Sequence, residues 1–338
     1  MRGLRVRAVV LAAGLATRLR PLTNARPKAL LTVVGRPLIE TTLDRLAEAG
    51  VEAAAINLHY RGDEIAAAVG TEWRGMPLHY SREPEILGTL GALGPLRDFL
   101  APAELVVVVN GDSLCRWPLE ELVATHLAGE SLSTLLLIRR ADPAAFGPVR
   151  VGSDGSIVSF PGAEPVRPAV SEHVFGGAHV FGSDLLELVP PGRSDSVIDL
   201  YRPGVRDGMR LGSYESDQPW HDLGNGRRYL EAVLDWAEVT TRDSYRDDGA
   251  EISERATLES CAVETAVSIE AGARCLRCLV LPGVRVGAGC ELEEVVLGDG
   301  VELPPATRLS RMLVTRAEWG RVTESTTAGG VVHTPLGV

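Results

Sequence analysis

The sequence predicts an α/β chain: a mostly parallel, mixed sheet with helices on both faces, followed by a short repeat domain. Two observations predict it. Strand-like apolar runs alternate with segments of helical periodicity over roughly the first 240 residues. Helical periodicity then vanishes, and across 250–303 small aliphatic residues recur about every six positions, as in V-S-I-E-A-G-A and V-R-V-G-A-G-C-E-L.

The elements follow in order. Residues 5–13 form an apolar run that stops at Gly14, the pattern of a buried parallel strand. Pro37 suits a first helical position; Leu38, Ile39, Thr42, Leu43, Leu46 and Ala47 recur at helical spacing, and Gly50 ends the run. A strand at 53–58, a helix at 63–69, a strand at 77–81, a helix at 88–99 and a strand at 104–109 come next. Strands joined through helices run parallel, and ligands of such sheets bind beyond the strands' carboxyl ends, so the loops after Ala13 and Val109 are the first places to search. A charged helix at 227–241 closes a domain spanning 1–241, and the polar stretch 242–249 leads into the repeat domain at 250–303. That repeat resembles the hexapeptide pattern of a left-handed parallel β-helix, read here as about three irregular coils. Residues 304–338 read as an extension or cap.

Composition narrows the function. A formal charge of −11 argues against a general nucleic-acid binder, which needs a basic face to displace counterions. No stretch approaches the roughly 18 unbroken apolar residues of a membrane span. The first residues lack the pattern of a secretory signal, so a cytoplasmic location is expected. Five cysteines without such a signal do not suggest a disulfide framework, and the C-x-x-C of Cys275 and Cys278 has no second pair at zinc spacing, which favours packing. Lys28 is the only lysine among 34 basic residues. A coding bias toward arginine explains the scarcity but not the survivor, whose compact ammonium suits phosphate chemistry.

The strongest motif is L-A-A-G-L-A-T-R-L-R-P-L-T-N-A-R-P-K-A-L at 11–30. After a buried strand, the turn at Gly14, Leu15 and Ala16 can offer successive backbone N–H groups to phosphate oxygens. Arg18 can add a bidentate grip, and Lys28 can neutralise charge at a reacting phosphorus. A dinucleotide site fits poorly because G-x-G-x-x-G is absent, and a P-loop would need Gly-Lys-Ser/Thr together.

This segment resembles the signature of the sugar-1-phosphate nucleotidyltransferases, whose catalytic domain is Rossmann-like. Three further segments match that family in order: E-I-L-G-T-L-G-A-L at 85–93, V-V-V-V-N-G-D-S at 106–113 and W-H-D-L-G-N-G-R-R-Y-L-E-A at 220–232. The resemblance, which extends through the repeats toward mannose-1-phosphate guanylyltransferases, spans residues 5 to 303. It implies a nucleotide site made by Leu11, Ala12, Ala13, Gly14, Leu15, Ala16, Thr17 and Arg18, with Glu83, Gly88, Thr89, Asn110 and Gly111. It also implies Mg²⁺ held by Asp112 and Asp222, and Gly147, Gly177 and Trp220 near the sugar phosphate. Taken alone, an aspartate at a strand end can simply cap a turn; as a pair, Asp112 and Asp222 make sense as hard oxygen ligands.

The chain departs from the family pattern in three places. Ala16 stands where a second glycine is common, and Asn225-Gly226 replaces Thr-Pro. The Glu-Lys-Pro that often supplies a sugar-phosphate lysine is missing, and Arg150 or Arg167 is offered in its place. The histidines show no ligand spacing, and His221 reads as turn packing.

The reaction expected is transfer of a nucleoside monophosphate from a nucleoside triphosphate to a sugar 1-phosphate, releasing pyrophosphate. Arg18, Lys28, Asp112 and Asp222 would be its catalytic residues. The leaning is to GTP with a mannose- or heptose-like sugar phosphate, with uridylyl or thymidylyl transfer to a hexose 1-phosphate as the alternative. A catalytically silent sensing subunit is a rival from another class, disfavoured because all four residues are present. Acyl transfer by the repeats is a third, disfavoured because 250–303 contains no histidine. The repeats are read as a surface for homo-oligomer formation.

Overall fold

The computed structural model describes residues 3–241 and 244–337. Arg242 and Asp243, with which the polar stretch begins, lie outside it, as do Met1, Arg2 and Val338. Two compact units emerge: residues 1–14 with 39–220, and residues 15–38 with 221–338.

The first unit is built on a mixed sheet. Val6–Leu11 lies between Ala53–Leu58 and Leu105–Asn110, parallel to both, and Ala53–Leu58 is followed by parallel Met76–Arg82. These inner strands are almost wholly buried, which is why they read as predominantly apolar runs. The long strand Ser171–Gly182 pairs antiparallel with Leu105–Asn110 on one side, and it also pairs antiparallel with Ser133–Ile138, which runs parallel to Leu211–Ser216. Its register slips between Phe175 and His179, at the pair Gly176-Gly177 where Gly177 has φ +84°. Helices at Leu38–Glu48, Gly62–Val69 and Leu119–Ala128 complete the α/β pattern. The expected helix at 88–99 is instead two short ones, Gly88–Gly91 and Arg97–Leu100. Pro95 disfavours helical backbone at Gly94 and donates no hydrogen bond, which breaks the run.

In the second unit three parallel ladders stack coil upon coil. One runs through Tyr245–Arg246, Ala262–Val263, Leu279–Val280, Val296–Leu297 and Met312–Arg316, so each coil takes 262 − 245 = 17 residues. The stack therefore extends on both sides of 250–303, and the tail adds the antiparallel strands Val331–Pro335 and Thr326–Ala328. Val263, Val280, Leu297 and Val314 form one inward column; Ile269, Val286 and Leu303 form another. Cys261, Cys275, Cys278 and Cys290 are buried free thiols in the same core, consistent with packing. Helix Gly226–Thr241 lies against this stack. No described helix is long and apolar enough to cross a membrane.

Candidate functional site

In the first unit the loops beyond the carboxyl ends of three inner strands are tied together. The Ala12 amide donates to Asn57 Oδ1 at 2.7 Å, and Asn57 Nδ2 donates to Glu83 Oε1 at 2.8 Å. The other carboxylate oxygen of Glu83 accepts from the Leu87 amide at 3.0 Å. Glu83 is only 4% exposed, so it links the first loop to the 83–89 loop from below. Gly111 donates its amide to the Leu11 carbonyl at 2.9 Å, and a Cβ there would press on Val10 and Leu11. Asn110 and Asp112 flank it, half-buried.

The 88–91 turn is pinned from the far side of the chain. Leu90 and Gly91 donate amides to the Ser194 carbonyl at 3.0 and 3.1 Å. Gly88, with φ +81°, packs so closely on that carbonyl that a Cβ would collide with it. The Thr89 hydroxyl lies 3.0 Å from Asp195 Oδ2 and accepts from the Ser196 amide at 2.8 Å.

Gly177 and Trp220 come together with the residue preceding Gly147. Trp220 donates its indole N–H to the Gly176 carbonyl at 2.7 Å and meets the edge of Phe146 at 5.6 Å. The Asn110 amide occupies the space that a Cβ on Gly177 would need. Arg150 and Arg167 are engaged elsewhere: Arg150 pairs with Glu172 at 2.6 Å, and Arg167 with Asp154 at 3.1 Å and with the Ser156 hydroxyl. Those hydrogen bonds to Ser156 and Arg167 hold the Asp154 carboxyl well below the usual carboxylate range.

The second unit carries Arg18 and Lys28. Leu15 is exposed, Ala16 takes a left-handed turn at φ 46°, and Thr17 and Arg18 are exposed on the turn Thr17–Leu19, which Leu19 anchors by burial. The Thr23 hydroxyl ties this turn back by donating to the Ala16 carbonyl at 2.9 Å. Lys28 is 9% exposed, with Nζ 4.0 Å from Asp222 Oδ1. The other Asp222 oxygen accepts from Arg228 Nη1 at 2.6 Å. Arg228 is placed by the helix start: Asn225 Oδ1 accepts the Arg228 amide at 2.9 Å, so Asn225 caps Gly226–Thr241. His221 lies 3.9 Å from Asp235.

Sequence reasoning missed Asn57, Ser194, Asp195 and Arg228. Asn57, polar in the otherwise apolar run A-A-A-I-N-L, and Arg228, six residues past Asp222, each left a signal. Ser194 and Asp195 act through long-range contacts and left none.

Among the described residues no group of three or more His, Cys, Asp or Glu side chains forms a ready-made metal cage. Asp112 and Asp222 are hard oxygen donors, neither fully buried, and Asp222 already attracts two cationic side chains. Each is a carboxylate of the kind Mg²⁺ takes, the ion being bound through one or two carboxylates together with phosphate oxygens.

Comparison with known proteins agrees with this layout. Residues 7–239 match the family described as "Nucleotidyl transferase", and 235–332 match "GlmU-like, C-terminal hexapeptide". The chain is 30% identical over 305 residues to a mannose-1-phosphate guanylyltransferase of Mycobacterium tuberculosis, covering 85% of this chain and 83% of that protein. It is 29% identical to a mannose-1-phosphate guanyltransferase of Schizosaccharomyces pombe, covering 67% of this chain and 62% of that one. It is also 26% identical to a UTP–glucose-1-phosphate uridylyltransferase of Synechocystis, covering 68% and 62%. The crystal structure of HddC from Yersinia pseudotuberculosis superposes with a TM-score of 0.57 at 20% identity, covering 68% of this chain and 99% of that one, which supports the fold. The chain thus belongs to the sugar-1-phosphate nucleotidyltransferase family, with a hexapeptide-repeat β-helix at its C-terminal end.

Proposed function

We propose that the chain catalyses Mg²⁺-dependent attack of a sugar 1-phosphate on the α-phosphorus of a nucleoside triphosphate, forming a nucleotide sugar and releasing pyrophosphate. The sugar phosphate oxygen is already anionic, so no general base is required. Rate enhancement then comes from positioning and charge stabilisation.

In this reading the backbone of Leu11, Ala12, Ala13, Gly14, Leu15, Ala16 and Thr17 cradles the phosphates and Arg18 grips the leaving pyrophosphate. Lys28 neutralises charge on the reacting phosphates. Asp112 and Asp222 would hold Mg²⁺, which when bound offsets the repulsion between the two anionic substrates. Gly88, Thr89, Asn110 and Gly111 receive the nucleoside, with Glu83 acting through Asn57 and the Leu87 amide. The Thr89 hydroxyl is occupied by its own chain, so the turn contributes mainly backbone. Gly147, Gly177 and Trp220 border the sugar. Arg150 or Arg167 would have to leave Glu172 or Asp154 to meet its phosphate.

The observation that carries the proposal is the approach of the only lysine to a carboxylate of the metal-binding type, Lys28 Nζ to Asp222 Oδ1 at 4.0 Å. GTP with a mannose- or heptose-like sugar phosphate is preferred, because the matched relatives that reach furthest along the chain are named for mannose 1-phosphate. Uridylyl transfer to a hexose 1-phosphate is the second reading, favoured by the Synechocystis relative. A silent sensing subunit would not need Arg18, Lys28, Asp112 and Asp222 together. The protein is taken to act in the cytoplasm and to self-associate through its repeats.

Pyrophosphate release by purified protein with Mg²⁺, four nucleoside triphosphates and mannose, glucose and heptose 1-phosphates tests the proposal. Release dependent on both substrates is expected. None from any pair would refute it.

A further inference from the structure

The segment that carries Arg18 and Lys28 is held by the β-helix and its flanking helix at four points. Asn24 Nδ2 donates to the Trp319 carbonyl at 2.6 Å, and Arg26 pairs with Asp299. The Tyr229 hydroxyl donates to the Thr32 carbonyl at 2.6 Å, and the Gly35 amide donates to Glu264 Oε2 at 2.9 Å. Glu264 is 1% exposed, and its Oε1 has no hydrogen-bond partner among the described residues; nor has Asp299 Oδ1.

Among the described residues, these two carboxylates accept from Gly35 and Arg26 of the 15–38 segment. At a spacing of 17 residues, the positions equivalent to Glu264 are Leu281 (264 + 17) and Gly298 (281 + 17), and Asp299 follows Thr265 and Pro282 in the same way. A carboxylate oxygen buried without a partner is a cost. Their partners explain them.

The hairpin they hold is strained. Its two-residue turn, Val34-Gly35, connects Thr32–Val33 to Arg36–Pro37 with φ 50° and 79°. Val34 is β-branched in left-handed backbone, an arrangement that persists only when its surroundings impose it. A Cβ on Gly35 would strike the Tyr245 hydroxyl, so the turn is closed in from that side too. The hairpin follows directly on the turn of Lys28: the Leu31 amide donates to the Lys28 carbonyl at 3.0 Å, and Leu38 to Leu31 at 2.9 Å. Arg26 extends the bracing by donating from Nη1 to the Thr32 hydroxyl at 3.2 Å.

We infer that Glu264 and Asp299 are positioning residues for the phosphate-contacting segment 15–38, which makes the β-helix a working part of the transferase. The inference rests on the roles proposed above for Arg18 and Lys28. Asp247, Arg26 and the phenols of Tyr229 and Tyr245 are the charged and titratable groups surrounding Glu264.

The test uses the full-length chain and its Glu264→Ala, Glu264→Gln, Asp299→Ala and Lys28→Ala variants. Pyrophosphate release is followed with GTP and mannose 1-phosphate at pH 8, together with hydrogen exchange of the backbone amides of 31–36. Glu264→Ala and Asp299→Ala are expected to lower kcat/KM for GTP at least tenfold, mainly through KM for GTP, with KM for mannose 1-phosphate within twofold and faster exchange at 31–36. Glu264→Gln keeps an oxygen for the Gly35 amide and is expected to restore activity to within threefold. Both alanine variants staying within twofold with unchanged exchange, while Lys28→Ala is inactive, would overturn the inference and leave the proposed reaction standing. Near-normal turnover of Lys28→Ala would instead defeat the assignment of Lys28, and exchange at 31–36 would still decide whether Glu264 and Asp299 hold the hairpin. Should Glu264→Ala fail to fold, Asp299→Ala carries the same decision.

Discussion

Asp222 is bracketed by two cations: Lys28 Nζ lies 4.0 Å from one carboxylate oxygen and Arg228 Nη1 2.6 Å from the other. An aspartate whose second oxygen is occupied by an arginine has its first oxygen oriented, the way outer partners orient metal ligands in general. In the proposed reaction Lys28 and Arg228 have unequal tasks, Lys28 meeting substrate phosphates and Arg228 fixing the carboxylate.

If Arg228 orients Asp222, replacing it by Met should weaken the response to metal more than it weakens nucleotide binding. The Mg²⁺ concentration for half-maximal rate is expected to rise about tenfold or more, the usual cost of losing such a partner. A Mg²⁺ titration of the rate at saturating substrates checks this; an unchanged midpoint would show that Arg228 has only a packing role.

Glu264 makes stability depend on pH. Burial pushes its carboxyl up to about 7 from an ordinary 4.5, aided by Asp247 and opposed by the Gly35 and Val34 amides and by Arg26. Between these two values the folded state binds a proton that the unfolded state has released, so the stability this group contributes is present below about pH 4.5 and is lost as pH rises to about 7. Glu264→Gln is therefore expected to gain on the parent chain by about 2 to 3 kcal/mol on going from pH 4.5 to pH 8, since each unit of displacement corresponds to about 1.4 kcal/mol. Urea denaturation of both proteins at the two pH values measures it. A difference that stays constant, or that moves the other way, contradicts the assignment.

At Gly88 the backbone is left-handed and a Cβ would meet the Ser194 carbonyl, so Gly88→Ala is strained twice over. A loss of about 1 to 3 kcal/mol in stability is expected, with a larger KM for the triphosphate. An alanine variant with a parental melting curve and parental KM would mean that the turn moves without penalty.

Much of this architecture was legible in the residues. The strand at 53–58 coincides with the observed Ala53–Leu58 because all six side chains are buried and five of them are apolar, Asn57 being satisfied by its own hydrogen bonds. The repeat pattern was visible for a similar reason, small aliphatic residues being the ones that fill a narrow stack. Breaks and long-range ties were harder to see. Pro95 splits the 88–99 segment, and Ser171–Gly182 hides its strand character behind a glycine bulge. In the candidate site the motifs pointed to Lys28 and Asp222, which the fold brings together. Arg228, Asn57, Glu264 and Asp299 escaped because their importance lies in partners far along the chain, which no local period encodes.

The most direct test of the whole account is the single-turnover rate of nucleotide-sugar formation by Lys28→Ala, with saturating Mg²⁺, GTP and mannose 1-phosphate, or whichever pair proves best. Removing a preorganised charge of this kind costs roughly 3 kcal/mol or more of transition-state stabilisation, so the rate is expected to fall at least about a hundredfold while the chain stays folded. Lys28→Arg should restore little, because a planar fork does not reproduce a compact ammonium at a buried position. A folded Lys28→Ala protein that forms product at the parental rate would contradict the assignment of this lysine to the reacting phosphates.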